Sequence, residues 1–227
     1  FHKGFSLYNI GFTAGIVATL CTALFRSIGY EVETVYLVSR GNNMQLSIFL
    51  FLLFGTILIF GLVSNQWSFK GYGALMKESG RGRNDFTEKY GQGLVYINIA
   101  LLGIVFTTYI LVVGGELNGP TIGGVFTVAG FGAAGKHLKN VLPILLGVFL
   151  VSYFSVHDVK STAALLAVLF GTTLAPISGY YGPVAGVIAG GLHMSFAANL
   201  SFLNAGMNLY NNGFSGGFIA AIILPIL

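Results

Sequence analysis

Gln45-Leu46-Ser47-Ile48-Phe49-Leu50-Phe51-Leu52-Leu53-Phe54-Gly55-Thr56-Ile57-Leu58-Ile59-Phe60-Gly61-Leu62-Val63 contains no charged residue. A helix needs about 20 residues to cross roughly 30 Å of hydrocarbon, so this run is long enough to span a bilayer. Outward from it, residues 9–25 and 94–113 have the same character, and 181–203 and 209–227 join them although glycine interrupts both. Three shorter runs, 120–134, 140–154 and 161–177, read either as short crossings or as re-entrant half-helices.

The composition of the whole chain agrees. Of 227 residues, 18 are Lys, Arg, Asp or Glu (11 basic and 7 acidic), 55% are hydrophobic, and the mean hydropathy is +0.81. Soluble domains carry about a quarter charged residues, so the solvent of this chain is lipid and its class is an all-α polytopic membrane protein. The net charge of +4 does not indicate nucleic-acid binding, because the basic residues fall between apolar runs. Five of the eleven lie in residues 70–89, the pattern of a cytoplasmic loop. Cys21, the single cysteine, stands within an apolar run, which excludes a disulfide or cysteine-rich metal site built from this chain alone.

Glycine supplies 33 residues, twice the usual share of about 7%. Several recur at four-residue spacing: Gly182, Gly186 and Gly190; Gly11 and Gly15; Gly213 and Gly217. Half of the glycines read as ordinary membrane-helix filler, and the rest mark tight helix crossings or broken helices.

Residues 4–18 and 206–220 align without a gap at an offset of 202, with eight of fifteen positions identical around Leu-Tyr-Asn-x-Gly-Phe. The expectation is an internal duplication, with residues 1–65 ending the first repeat and 66–227 forming most of the second. A protein of nearly twice this length would contain both copies whole. If all seven apolar runs between residues 9 and 203 cross, the copies are inverted. Lys136 and Lys139 then share a side with the 70–89 loop, while Glu31, Glu33 and Glu116 fall opposite. Re-entry of 120–134 would make the copies parallel instead.

Polar residues within apolar surroundings are the candidates for chemistry. In Gly114-Gly115-Glu116-Leu117-Asn118-Gly119-Pro120-Thr121, proline suits a first helical turn, and the start of a half-helix would offer its amides to a solute; a surface turn is the alternative. Pro176-Ile177-Ser178-Gly179-Tyr180-Tyr181-Gly182-Pro183 repeats the Gly-Pro theme, and the two breaks could line a common cavity. His193, in mid-run, reads either as a functional group or as a neutral imidazole bonded to a serine or carbonyl. Tyr8, Asn9, Tyr210 and Asn211 in the paired motifs, with Asn118, Thr121 and His193, make up the expected solute-binding set; the asparagines could equally cap their own helices. Lys136-His137-Leu138-Lys139, at the end of a run, reads as a membrane-interface anchor. A Walker loop, His-Glu-x-x-His, Gly-x-Ser-x-Gly and a buried acidic pair are all missing from the sequence.

Asn118-Gly119-Pro120-Thr121-Ile122-Gly123-Gly124, Gly130-Phe131-Gly132-Ala133-Ala134-Gly135-Lys136-His137, Phe170-Gly171-Thr172-Thr173-Leu174-Ala175-Pro176 and Leu209-Tyr210-Asn211-Asn212-Gly213-Phe214 resemble a bacterial membrane-protein family catalogued as domain of unknown function 1576. The resemblance implies a duplicated body of which this chain is the C-terminal half, in the bacterial inner membrane. A fainter likeness is to urea transporters, through Asn118–Gly123 and Tyr210–Gly213, although the Leu-Pro-x-x-Thr-x-Pro-Phe signature is missing. The expected function is a transporter or channel for a small polar solute; the alternative is a non-transporting membrane subunit or scaffold. No enzyme activity, cofactor, metal or nucleic acid is expected. The expected partners are the lipid bilayer and the solute, with a homo-oligomer left open.

Overall fold

A computed structural model describes residues 2–30, 37–82, 84–156, 158–204 and 211–226; the side chains of residues 9, 201, 202 and 204 fall outside that description. The described elements are all helical: α1 (Asn9–Ser27), α2 (Asn43–Ser64), the short α3 (Tyr72–Leu75), α4 (Phe86–Val112), α5 (Gly119–Gly130), α6 (Leu138–Phe154), α7 (Thr162–Gly171), α8 (Ala175–Tyr181), α9 (Pro183–Asn204) and α10 (Asn211–Ile223). Among the described residues, five stretches are long and apolar enough to cross a membrane: Ile10–Ser27, Asn43–Ser64, Phe86–Val112, Thr162–Tyr181 and Pro183–Leu200. The protein is a polytopic α-helical membrane protein.

The local sequence explains where these helices start and break. Asp85 caps α4 by accepting the amides of Thr87 (2.8 Å) and Glu88 (3.1 Å). Gly91, at φ 80° and ψ 160°, then interrupts the helix, in a conformation that only glycine adopts readily. The helix therefore begins eight residues ahead of the apolar run at 94–113. α7 and α8 form one path joined by a 3-10 turn at Thr172–Leu174. Pro176 stands in the first turn of α8, where its missing N–H is harmless, so the chain breaks only at Gly182 (φ 94°).

Contacts fix the two ends of the bundle. At one end Asn43 bonds the carbonyl of Gly115 (2.9 Å) and the amide of Leu117 (2.7 Å), and Asn118 reaches Thr162 (3.1 Å). At the other, Asn65 packs on Gly93, Gly80 on Gly135 and Ser79 on Gly179, and a His137 ring nitrogen lies 2.8 Å from the Glu78 carbonyl. Helices α2 and α4, then α5 with the turn Phe131–Ala133, then α6 and then α7–α8 run alternately between these ends. Residues 120–134 thus traverse the bundle. The Gly-Pro sites at Asn118 and Gly182 lie at opposite ends, separated by a helical path of about 20 residues or roughly 30 Å, so they do not line a common cavity.

Of α2 only Leu50, Phe54 and Gly61 are fully buried; Leu46, Ile57, Leu58 and Leu62 are half-buried against the core, and Ile48, Phe49, Leu52, Ile59, Phe60 and Val63 face outward, as lipid contact requires. Close helix approach relies on glycine. A Cβ at Gly147 or Gly190 would strike the backbone of the partner in the α6–α9 pair, and one at Gly103 would strike the Phe54 ring of α2. In the α1–α10 crossing Gly11 meets Gly213, Gly15 meets Phe214, and Gly217 meets Phe12; the two phenylalanine rings stack 6.0 Å apart.

Candidate functional site: a buried lysine

Lys136 lies in the short link between Ala133 and α6, where it meets the start of α1 and the 3-10 turn joining α7 to α8. It is completely buried. Its Nζ donates to the hydroxyl of Tyr8, the residue ahead of α1, and to Thr172 Oγ1 (2.6 Å), in the 3-10 turn between α7 and α8. It also sits over the ring faces of Tyr8 (4.4 Å to the centroid) and Phe131 (5.1 Å), a cation–π arrangement that strengthens where water is excluded. The Tyr8 ring meets Phe131 and Phe170 edge-on, at 4.9 and 6.1 Å.

The frame around the amine is held from both sides. Asn98, buried in α4, donates to the carbonyls of Lys136 (2.7 Å) and Gly132 (2.8 Å) while accepting from the Tyr72 hydroxyl (3.0 Å). Asn140 donates to the Gly135 carbonyl (2.9 Å). On the other side Thr173 Oγ1 accepts the amides of Leu7 (3.0 Å) and Tyr8 (2.9 Å) and lies 3.1 Å from Ser6 Oγ. Nearer the molecular surface, Glu78 accepts Tyr90 OH (2.7 Å) and Lys89 Nζ (3.3 Å). The tyrosine hydrogen bond, followed by the lysine, holds the Glu78 carboxyl below the usual carboxylate range.

The expected site residues distribute unevenly around this centre. Tyr8 belongs to it. Asn118 and Thr121 do not: each side chain bonds the other's amide, at 3.1 and 2.8 Å, in a capping box that starts α5. His193 is buried and faces protein, with Ser215 Oγ 3.1 Å from Nδ1 and its ring against Gly171. Asn211 starts α10 and is partly exposed. The Asn9 side chain and Tyr210 lie outside the described residues.

The reading of Lys136 as an interface anchor is corrected. Lys136 and Lys139 share an end of the bundle with the 70–89 segment, yet only Lys139 extends from a helix start. The chain before Lys136 turns inward through Phe131–Ala133, where Gly132 and Gly135 admit the close packing that encloses it. Its signal was the apolar, glycine-rich flank on that side. Thr172, Phe131 and Phe170 were hidden because their roles depend on contacts distant in sequence.

The family model described as Protein of unknown function (DUF1576) matches residues 1–27 and 64–227. The chain belongs to that family. No curated protein and no solved structure matches it, and the likeness to urea transporters is not shown. In this DUF1576 chain every residue of the lysine site falls within the matched segments, whereas most of α2 falls between them.

Proposed function

We propose that the chain forms part of a membrane transporter or channel for a small polar solute, with the binding site at Tyr8, Lys136 and Thr172. One observation carries this reading: a fully buried lysine is held where the starts of α1 and α6 meet the 3-10 turn between α7 and α8. Interrupted helices at the core of a bundle are the usual solute site of secondary transporters, and an ionisable group there is costly unless it serves function. A scaffold role accounts for the glycine contacts and leaves the lysine without a purpose.

The inverted duplication belongs to the same proposal. The family match falls in two segments, and the sequence Leu-Tyr-Asn-x-Gly-Phe stands near the end of each. In the second segment α4, α5, α6, α7–α8, α9 and α10 make an even set of six passes, and a copy with even passes joined through one linking helix, α2, is followed by its inverse. The α1–α10 contacts support a local twofold: under the 202 offset Gly15–Phe214 and Phe12–Gly217 exchange, and Gly11–Gly213 maps onto itself. Tyr8 would then come from one copy and Lys136 from the other.

Flux of small solutes into proteoliposomes containing the full-length protein tests the transport reading. Saturable uptake above that of empty vesicles is expected, reduced at least tenfold by Lys136→Ala; uptake no faster than in empty vesicles across the solute panel defeats it. Sided thiol labelling tests the topology. Cysteines replacing Asn42 and Lys160 should label from one face and a cysteine replacing Lys70 from the other.

A further inference from the structure

We infer that the Lys136 site takes a small monovalent anion, a carboxylate or similar oxyanion, whose charge completes the surroundings of the ammonium. The inference rests on the location proposed above and concerns the chemistry of the solute. A buried ammonium is stable when it is both hydrogen-bonded and charge-compensated. Among the described residues Lys136 has the first in part and lacks the second, so a bound anion is what would hold its Nζ as an ammonium. An ammonium has three N–H donors; two reach neutral hydroxyls, of Tyr8 and Thr172, and the ring faces of Tyr8 and Phe131 add quadrupolar attraction.

No carboxylate compensates it among the described residues. Glu78 is held by Tyr90 and Lys89, and Asp85 caps α4 with Glu88 in the following turn. Asp158 binds the Lys160 amide (3.0 Å), and Glu116 belongs to the opposite end of the bundle, where its carbonyl accepts from Thr121 (3.0 Å). Glu31 and Glu33 lie outside the described residues.

Helix dipoles of both signs meet here. α6, 17 residues long, begins at the second residue after Lys136, and α1, 19 residues long, begins immediately after Tyr8. Both direct their positive ends toward this region, whereas α5 with its 3-10 turn ends at Ala133 and α7 at Gly171 and bring negative ends to it, so the lysine itself decides the sign. A metal cation would meet like charge, and a neutral solute would leave the ammonium uncompensated. An anion satisfies the third N–H and the charge together.

The test compares isosteres that differ in charge. Thermal unfolding of the purified full-length protein is followed in detergent at constant ionic strength with acetate against acetamide, and formate against formamide. Saturable stabilisation by the two anions alone is expected. Lys136→Gln should weaken it at least tenfold, and Lys136→Arg should retain it. Equal stabilisation by the amides, or anion stabilisation that survives in Lys136→Gln, overturns the inference. If Lys136→Gln does not fold, the acetate–acetamide comparison on the unsubstituted protein decides alone. Flux of the same pair at pH 8 separates this inference from the transport reading. Anion stabilisation without flux of any solute refutes transport and supports the anion site, whereas acetamide flux without acetate stabilisation refutes the anion site and leaves transport standing.

Discussion

Thr172 illustrates how much one hydroxyl can matter where water is excluded. Its Oγ1 accepts from Lys136 and donates to the Leu169 carbonyl at 2.6 Å, so Thr172→Val removes an acceptor from a buried charge while keeping the volume. The expected loss is about 2 kcal/mol, measurable by unfolding in detergent. Glu78 gives a contrasting case near the surface. Its depressed carboxyl contributes stability that is present above the ordinary carboxylate pKa of 4.5 and lost as pH falls through the lower folded value. Glu78→Gln should therefore lower stability at neutral pH by no more than about 1 kcal/mol, because exposed pairs are weak, and the difference should vanish in acid; a titration of unfolding midpoints against pH checks this. Sequence reasoning reached Tyr8 through its repeated motif. It missed Lys136 because adjacent Leu138 and Lys139 look like the start of a helix at a membrane surface, and nothing local announces a threonine 36 residues away.

At the level of helices, the sequence was most informative where hydrophobic length alone decides the outcome. The run at 45–63 became α2 (Asn43–Ser64) with little change. Residues 120–134 were ambiguous because a 12-residue helix, α5, is too short to span by itself, and the crossing is completed by Phe131–Ala133 and the link to His137. Glycine spacing announced tight packing without naming the partner. In the structure Gly147 lies against the Val187 backbone and Gly190 against that of Ile144, so Gly147→Val should cost about 3 kcal/mol through overpacking, visible as a lower unfolding temperature. Open glycines behave differently. Gly123 and Gly55 have nothing within 4 Å of a built Cβ, and alanine there should be neutral or slightly stabilising.

Across the whole molecule, the segment ahead of α1 docks on the 3-10 turn between α7 and α8. With Cys21 replaced by serine, Ser6→Cys and Thr173→Cys should cross-link under mild oxidation, because the native oxygens lie 3.1 Å apart; recovery of only uncross-linked protein from membranes would contradict this docking. The same long-range contact bears on how the protein is made. Tyr8 is synthesised 128 residues before Lys136, and Thr172 follows it by 36. During translation the lysine enters the bundle before one of its two acceptors exists. A nascent chain stopped before Thr172 would carry an incompletely solvated charge in the membrane, a feature that quality-control proteases and insertion chaperones can detect. Biogenesis of this protein should therefore have its most vulnerable interval between the insertion of α6 and the arrival of α8.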